Sequence, residues 1–151
     1  MKNSDTSSGR KFHKDNIIRG FRIFSEILND SKTVQTKYLK AYFRIKEKED
    51  LHNGKFLSPL VTDNVKVGFI IAKRNIRKST FRNRIRRLLK ESCRLNKPEF
   101  NSKDNLIYII YSLTQKGYEH FMEFPDTKLN FIQKEMKDLN SAVLLQLNKI
   151  L

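Results

Sequence analysis

The residues of this chain that could take part in chemistry are mainly cations, and most of them lie in one segment. Between Lys66 and Lys97 there are twelve Lys or Arg residues and a single acidic residue, Glu91. The whole chain of 151 residues has 31 Lys or Arg against 16 Asp or Glu, a formal net charge of +15. A charge of this size opposes compaction through self-repulsion, so we expect a polyanionic partner.

The cations in this segment follow helical spacing. Arg82, Arg86 and Lys90 are four residues apart, and like charges at that spacing mildly destabilise a helix. A solvated helix face usually mixes the two signs, whereas a polyphosphate ligand would relieve the repulsion in this one. Arginine predominates, and its guanidinium group binds phosphate oxygens in a bidentate geometry. The pattern favours contact with nucleic acid over a merely solvated face.

Other residue types give little support for catalysis by the protein itself. The three histidines, His13, His52 and His120, are scattered and lack metal-ligand spacing. Cys93 lies near the predicted buried side of a helix, so we interpret it as a structural thiol and not a nucleophile. A lone cysteine cannot form an internal disulfide and suits a reducing compartment. There is also no Gly-rich phosphate-binding loop.

Hydrophobic periodicity predicts the elements that must position the cations. They are a helix over 17–29, strands over 38–46 and 65–72, a helix over 80–95, a strand over 106–112 and a helix from about 126 to near the end. This order, α-β-β-α-β-α, predicts one small domain over residues 15–151. Residues 1–14 are expected to be a disordered basic arm, and residues 47–64 a flexible loop.

Two of these elements have informative faces. In the strand over 38–46, apolar residues alternate with tyrosines and cations, so the second face carries Lys40, Tyr42 and Arg44. In the helix over 80–95, Phe81, Ile85, Leu88 and Leu89 form a predicted buried stripe, and Ser79 or Thr80 is the expected N-cap.

Targeting signals are not evident in the sequence. No run of about 18 apolar residues could form a membrane-spanning helix. Met1 to Lys14 is polar and lacks the apolar core of a secretory signal. We therefore expect a cytoplasmic protein with no membrane partner.

The stretch VGFIIAKRNIRKSTFRNRIRRLLKE, from Val67 to Glu91, resembles the signature of the bacterial ribonuclease P protein subunit. In that family a Val-Gly-containing strand leads through a Lys-Lys or Lys-Arg pair into a helix reading Arg-Asn-Arg-(Ile/Val)-(Lys/Arg)-Arg-Leu. Lys73, Arg74 and residues 82–88 match this pattern. Phe24 and Tyr42 match the spacing of the family's helix phenylalanine and strand tyrosine, and Lys37 stands where the family has a basic residue.

Two departures concern the shape of the site. The family's usual glycine in the loop before the basic helix is missing, and residues 76–79 stand there instead. The aromatic residue often found four residues after the helix phenylalanine is Leu28 here. The order of elements otherwise agrees over about residues 15–145.

The resemblance implies a fold, a function and a set of site residues. The fold is an α/β (α+β) sandwich around one sheet, with a left-handed βαβ crossover, which is rare in general. The function is to help an endoribonuclease remove the 5′ leader of precursor tRNA. The catalytic RNA subunit performs the chemistry with Mg²⁺ that it holds itself, so the protein binds no cofactor and no small-molecule substrate.

The implied RNA-binding residues fall into two groups. Those facing the catalytic RNA are Lys73, Arg74, Arg82, Asn83, Arg84, Arg86, Arg87 and Lys90. Those lining a cleft for the single-stranded leader are Phe24, Lys37, Lys40, Tyr42 and Arg44. A cationic groove can follow a nucleic-acid backbone while aromatic rings accept bases of any identity. For Phe24, plain core packing on an amphipathic helix remains an equal alternative.

Two other functions remain open from the residues. A ribosomal or assembly protein that coats structured RNA would explain the charge but not the motif. A DNA-binding regulator would need a helix-turn-helix pair, whereas a strand precedes the basic helix. We also expect affinity for RNA to fall steeply with salt, and replacement of Arg82 and Arg84 by alanine to flatten that dependence.

Overall fold

A computed structural model describes residues 16–47, 64–97 and 105–150, so the predicted arm at 1–14 and most of the predicted loop at 47–64 lie outside it. Eight elements occur within these ranges. They are α1 (Phe21–Asn29), β1 (Lys32–Gln35), β2 (Leu39–Glu47), β3 (Val65–Phe69), α2 (Ser79–Leu95), β4 (Asn105–Leu113), α3 (Gln115–Glu123) and α4 (Leu129–Ile150). None of these helices is long and apolar enough to cross a membrane.

The four strands form one mixed sheet in the order β1-β2-β4-β3. β4 lies between β2, which is antiparallel to it, and β3, which is parallel to it. Its apolar, β-branched sequence suits a position buried on both sides, and every residue from Leu106 to Leu113 is buried. The predicted central strand is confirmed.

Helices cover both faces of the sheet. On one face α2 and α4 pack over Phe43, Ile109 and Tyr111. On the other face α1 packs through Ile27 against a smaller cluster that includes Ile110. The predicted single-domain sandwich around one sheet is confirmed. β3, α2 and β4 form the expected crossover unit, and its left-handed sense stays a prediction.

The first helix begins later than the hydrophobic spacing predicted. Gly20 adopts φ +97°, a conformation that side chains other than glycine rarely tolerate, and this turn separates Ile17 from the helix. Ile17 bridges to Val67 instead, and the Ile18 amide donates to the Val67 carbonyl oxygen at 2.7 Å. The segment before α1 therefore lies along the edge of β3.

Two elements were not predicted. β1 is four residues long and polar, and it lies at the sheet edge, paired only with β2. α3 occupies residues to which hydrophobic periodicity assigns no element, and the last helix begins at Leu129 instead of Asp126. The order is therefore α-β-β-β-α-β-α-α. Hydrophobic spacing in the last helix predicts that Leu129, Ile132, Met136, Leu139 and Val143 share a buried face. The last four are buried, whereas Leu129 is half-buried.

The end of β3 and the start of α2 also differ from the predictions. β3 ends at Phe69 and not at Ala72. The predicted N-cap of α2 is wrong, because Lys78 occupies that position and no side chain caps the helix there. Ile85 and Leu89 are fully buried as predicted, while Phe81 and Leu88 are half-buried at the margin of the core.

A buried polar chain joins three elements inside the core. The Tyr111 hydroxyl of β4 donates to Asn140 Oδ1 of α4 at 2.6 Å, and Asn140 Nδ2 donates to the Asn96 carbonyl oxygen at 2.7 Å. Cys93 of α2 is completely buried beside Tyr111. Burial raises the pKa of the Cys93 thiol from its ordinary value of 9.0 to about 12. This supports a structural thiol, because the thiolate is the reactive form.

We expect Cys93 to resist iodoacetamide at pH 8.5 in the native protein and to react once the chain is unfolded in urea. A pKa raised by three units lowers the thiolate fraction roughly a thousandfold, and burial slows attack further. The same shift stabilises the fold below pH 9 and loses that contribution as the pH rises from 9 toward 12. Equal labelling rates with and without urea would contradict the assignment.

Candidate nucleic-acid interface

An open groove of about 680 Å³ lies at the end of the sheet where β4 finishes and β2 begins. Among the residues that the structure describes, four cations and no acidic residue line it. Its lining residues are Leu28, Gln35, Thr36, Lys37, Lys40, Tyr42, Ile70, Ala72, Arg74, Ser112, Leu113, Thr114, Gln115, Lys116 and Tyr118. The groove therefore brings together predicted residues from β2, from the turn before it and from the turn after β3.

The groove exists because α1 is too short to cover the whole sheet face. Alternation along β2 directs Lys40 and Tyr42 to the same face as α1. α1 covers the part of that face near Tyr108 and Ile110, and the groove begins beside Leu28. Lys40 Nζ lies 4.8 Å from the centre of the Tyr42 ring, within the range of a cation–π contact. A cation and a flat ring are thus presented side by side.

α3 forms a second wall of the groove that the sequence interpretation missed. Thr114 caps the helix by accepting a hydrogen bond from the Gly117 amide at 3.1 Å. The Thr114 hydroxyl donates to the Lys37 carbonyl oxygen at 2.6 Å. The Thr114 backbone amide donates to the Tyr38 carbonyl oxygen at 3.0 Å. These bonds hold Gln115 and Lys116 against the start of β2. Thr114 followed by the buried Tyr118 and Phe121 was the sequence signal for this helix.

The turn that carries Lys73 and Arg74 is held by α3. The Ala72 amide donates to the Tyr118 hydroxyl oxygen at 2.9 Å, and the Ala72 carbonyl oxygen accepts from the amides of Asn75 and Ile76. Both Lys73 and Arg74 are exposed. Arg74 lines the groove, whereas Lys73 is not among the lining residues of the groove.

A second hollow of about 300 Å³ brings four predicted RNA-binding residues of α2 together with Phe24. It lies at the outer edge of β3, between the segment before α1, which is hydrogen-bonded to that edge, and the helix α2. Its lining residues are Ile17, Ile18, Phe24, Gly68, Phe69, Asn83, Arg86, Arg87 and Lys90. The sequence interpretation expected Phe24 and Tyr42 in one cleft, but the structure separates them into two hollows. Both rings still pack against the same apolar cluster, as the packing alternative for Phe24 expects, and a role of Phe24 in RNA binding stays a prediction.

Arg82 and Arg84 have partners within the chain. Arg82 donates to the carbonyl oxygens of Ile76 and Arg77 at 2.8 and 2.7 Å, which fixes the loop before α2. Arg84 donates to the carbonyl oxygens of Pro125 and Thr127, the latter at 3.0 Å, and so ties α2 to the loop between α3 and α4. Carbonyl partners do not neutralise a guanidinium charge, so both residues still add to the positive potential of the helix.

Arg44 is also engaged. Its guanidinium lies 3.6 Å from Asp30 at the end of α1, and Lys46 lies 4.0 Å from Glu26 on the same helix. Both ion pairs lie on the part of the β2 face that α1 covers. The cations beside the groove, Lys37 and Lys40, have no carboxylate partner among the residues that the structure places.

Residues 16–47, 64–97 and 105–150 contain no group of three His, Cys, Asp or Glu side chains that could hold a metal ion. His120 packs between aromatic rings, stacked on Phe131 with ring centres 4.2 Å apart, and its Nε2 lies 2.9 Å from the Thr127 hydroxyl. This histidine has a packing role.

Gly117 sets the distance between α3 and β2, and we expect Gly117→Ala to disturb the groove. An added Cβ would lie 2.1 Å from the Tyr38 carbonyl oxygen, which is backbone and cannot step aside. The helix must shift, at a cost of about 1–3 kcal/mol in the free energy of unfolding. Urea denaturation measures this loss. Glu123→Ala, at the exposed end of the same helix, is the matched control, and equal stability of the two variants would refute the close contact.

Comparison with known proteins places this arrangement in a family. A family model described as Ribonuclease P matches residues 12–137. No curated protein sequence gives a significant match. A Staphylococcus aureus RNase P protein structure is 18% identical, with 85% of this chain and 94% of that chain covered and a TM-score of 0.57.

The RNase P protein from Thermotoga maritima is 22% identical, with 82% of this chain and 94% of that chain covered and a TM-score of 0.58. At such identities the structural likeness establishes a shared fold, and the family match covers most of the sequence. The chain belongs to the ribonuclease P protein family.

Proposed function

We propose that this chain is the protein subunit of a cytoplasmic ribonuclease P, in which it binds the catalytic RNA and the 5′ leader of precursor tRNA. The observation that carries the proposal is the 680 Å³ groove, because its described lining includes four cations and the Tyr42 ring and contains no carboxylate. The basic face of α2 is the surface for the catalytic RNA. The membership of the family supports an RNA partner and a role in tRNA processing.

The groove suits an extended, unpaired strand. Lys40 and Arg74 are placed to neutralise phosphates, and Tyr42 offers a ring on which a base can stack. Base–aromatic stacking tolerates any sequence, which suits leaders that differ between tRNA precursors. Lys37 and Lys116 extend the positive lining at one end. Proteins recognise double-stranded RNA mostly by its shape, through contacts across the wide, shallow minor groove of the RNA. A duplex therefore does not enter a hollow of this size.

The protein contributes binding in this proposal, and the RNA contributes the chemistry. Magnesium ions held by the RNA would supply an activated water for hydrolysis of the phosphodiester at the leader junction, which would leave a 5′-phosphate on the mature tRNA. The protein's cations neutralise phosphates that would otherwise need magnesium. Two charged surfaces on one rigid sheet thereby hold the leader in a defined position relative to the catalytic RNA.

Cleavage of a leader-containing precursor tRNA by a bacterial catalytic RNA at low magnesium tests the proposal. We expect the protein to raise the rate about tenfold or more and to keep the cleavage position accurate.

Tyr42→Ala should weaken binding of the leader-containing substrate about tenfold and leave binding of mature tRNA unchanged. Phe124→Ala, an exposed ring outside the groove, is the control. Binding of the catalytic RNA without stimulation would instead favour a protein that only coats structured RNA.

Substitutions of Arg84 and Arg87 distinguish a role in stabilising the fold from a role in contacting RNA. Arg84→Gln removes hydrogen bonds to two carbonyl oxygens and should lower the free energy of unfolding by about 1–2 kcal/mol. Arg87 is exposed, so Arg87→Gln should leave stability unchanged within about 0.5 kcal/mol. The Arg87 variant should reduce the slope of log affinity against log salt by about 1. An unchanged slope, measured by filter binding to the catalytic RNA, would exclude Arg87 as a phosphate contact.

A further inference from the structure

The 300 Å³ hollow at the outer edge of β3 has two chemically different halves. One half is apolar and comes from the segment before α1, from α1 itself and from β3. The other half is polar and cationic and comes from one face of α2. Phosphate groups would contact only the cationic half. The apolar half therefore suits a ligand that also has a flat apolar part.

The apolar half is already formed in the free protein. The Phe24 ring lies directly on Gly68, where an added Cβ would approach the ring to 2.6 Å. Ile18 is 5% exposed and is hydrogen-bonded through its amide to β3. Phe69 stacks on Tyr111 with ring centres 5.6 Å apart. The floor of the hollow therefore consists of side chains that neighbouring elements hold in place.

The polar half presents donors and positive charge. Arg86 donates to Asn83 Oδ1, which directs the amide nitrogen of Asn83 away from that contact and leaves it as a donor. Arg87 and Lys90 are exposed, and within the ranges that the structure describes neither has a carboxylate partner. Glu91, the acidic residue of this helix, is engaged by Arg94. The charge beside the apolar floor is thus available to an anion.

We propose that this hollow binds one unpaired nucleotide of the RNA partner, with the base on the floor made by Ile18 and Phe24 and the phosphate between Arg87 and Lys90. Asn83 Nδ2 would donate to an acceptor on the base edge. A volume of 300 Å³ is at the small end of the range for small-ligand sites, which suits a single nucleotide. The inference rests on the proposed function for the source of the nucleotide, since RNA supplies unpaired bases linked by phosphates.

The chemistry of the site can be tested on the full chain without the catalytic RNA. The probes are adenosine 5′-monophosphate, ribose 5-phosphate, inorganic phosphate and a four-nucleotide single-stranded RNA. The readout is the shift of the Ile17 and Ile18 methyl resonances, with the buried Ile109 as internal reference. We expect the monophosphate and the tetranucleotide to shift the Ile18 resonance, and the two probes without a base to leave it in place. Equal shifts from inorganic phosphate would overturn the proposal.

Affinity distinguishes a nucleotide within RNA from a free one. The tetranucleotide should bind about tenfold more tightly than the monophosphate, because its neighbouring phosphates reach further cations. Equal affinity would assign the site to free nucleotides and overturn the RNA source. Lys90→Gln should weaken both ligands several-fold, and Lys134→Gln, exposed on α4 outside the lining of the hollow, should not. Equal loss in both variants would point to bulk charge and refute a built site.

Two further outcomes separate this inference from its foundation. Stimulation of the catalytic RNA without a base-dependent shift of Ile18 would refute the nucleotide site and leave the proposed function. A base-dependent shift in a protein that fails to stimulate that RNA would refute the proposed function and support the site. If Phe12→Ala shifts the Ile18 resonance without any nucleotide, the chain's own amino-terminal segment occupies the hollow, and the proposal fails.

Discussion

The burial of β4 on both of its faces is the constraint on which the rest of the molecule depends. Ile107, Ile109 and Ile110 are inaccessible to solvent, so helices must pack on each side of the sheet. α2 and α4 are long and cover one face, whereas α1 has nine residues and covers only part of the other. The uncovered part of that second face, at the end of β4, is the groove that we assign to the leader.

Most of the positive charge on the residues that the structure describes is not paired with a carboxylate. Arg82 and Arg84 bind backbone carbonyl oxygens, which stabilises the surrounding loops and leaves the guanidinium charges uncompensated. Carboxylate pairing of Arg44 and Arg94 occurs away from the groove. The structure therefore keeps a strong field beside both hollows. A polyanion gains affinity from that field, and the protein gains relief from self-repulsion on binding it.

The groove and the smaller hollow are coupled through the rigid elements between them. β3 contributes Gly68 and Phe69 to the smaller hollow, and the turn after β3 contributes Ala72 and Arg74 to the groove. Tyr118 of α3 holds that turn, and α2 starts only a few residues later. Ligands bound in the two hollows would therefore be held at a fixed separation, as our proposals for the two sites require.

The sequence by itself determined the fold class, the central strand, the basic helix and the family, since hydrophobic periodicity and a motif of contiguous residues are local properties. Tertiary structure decided what depends on contacts between distant segments. The short polar β1 is a strand because β2 pairs with it, and α3 forms a groove wall because Gly117 fits against Tyr38. Helical spacing placed Arg84 and Arg87 alike on a cationic surface, yet only Arg84 meets the carbonyl oxygens of Pro125 and Thr127. Those oxygens lie about forty residues further along the chain, and no local pattern encodes their position.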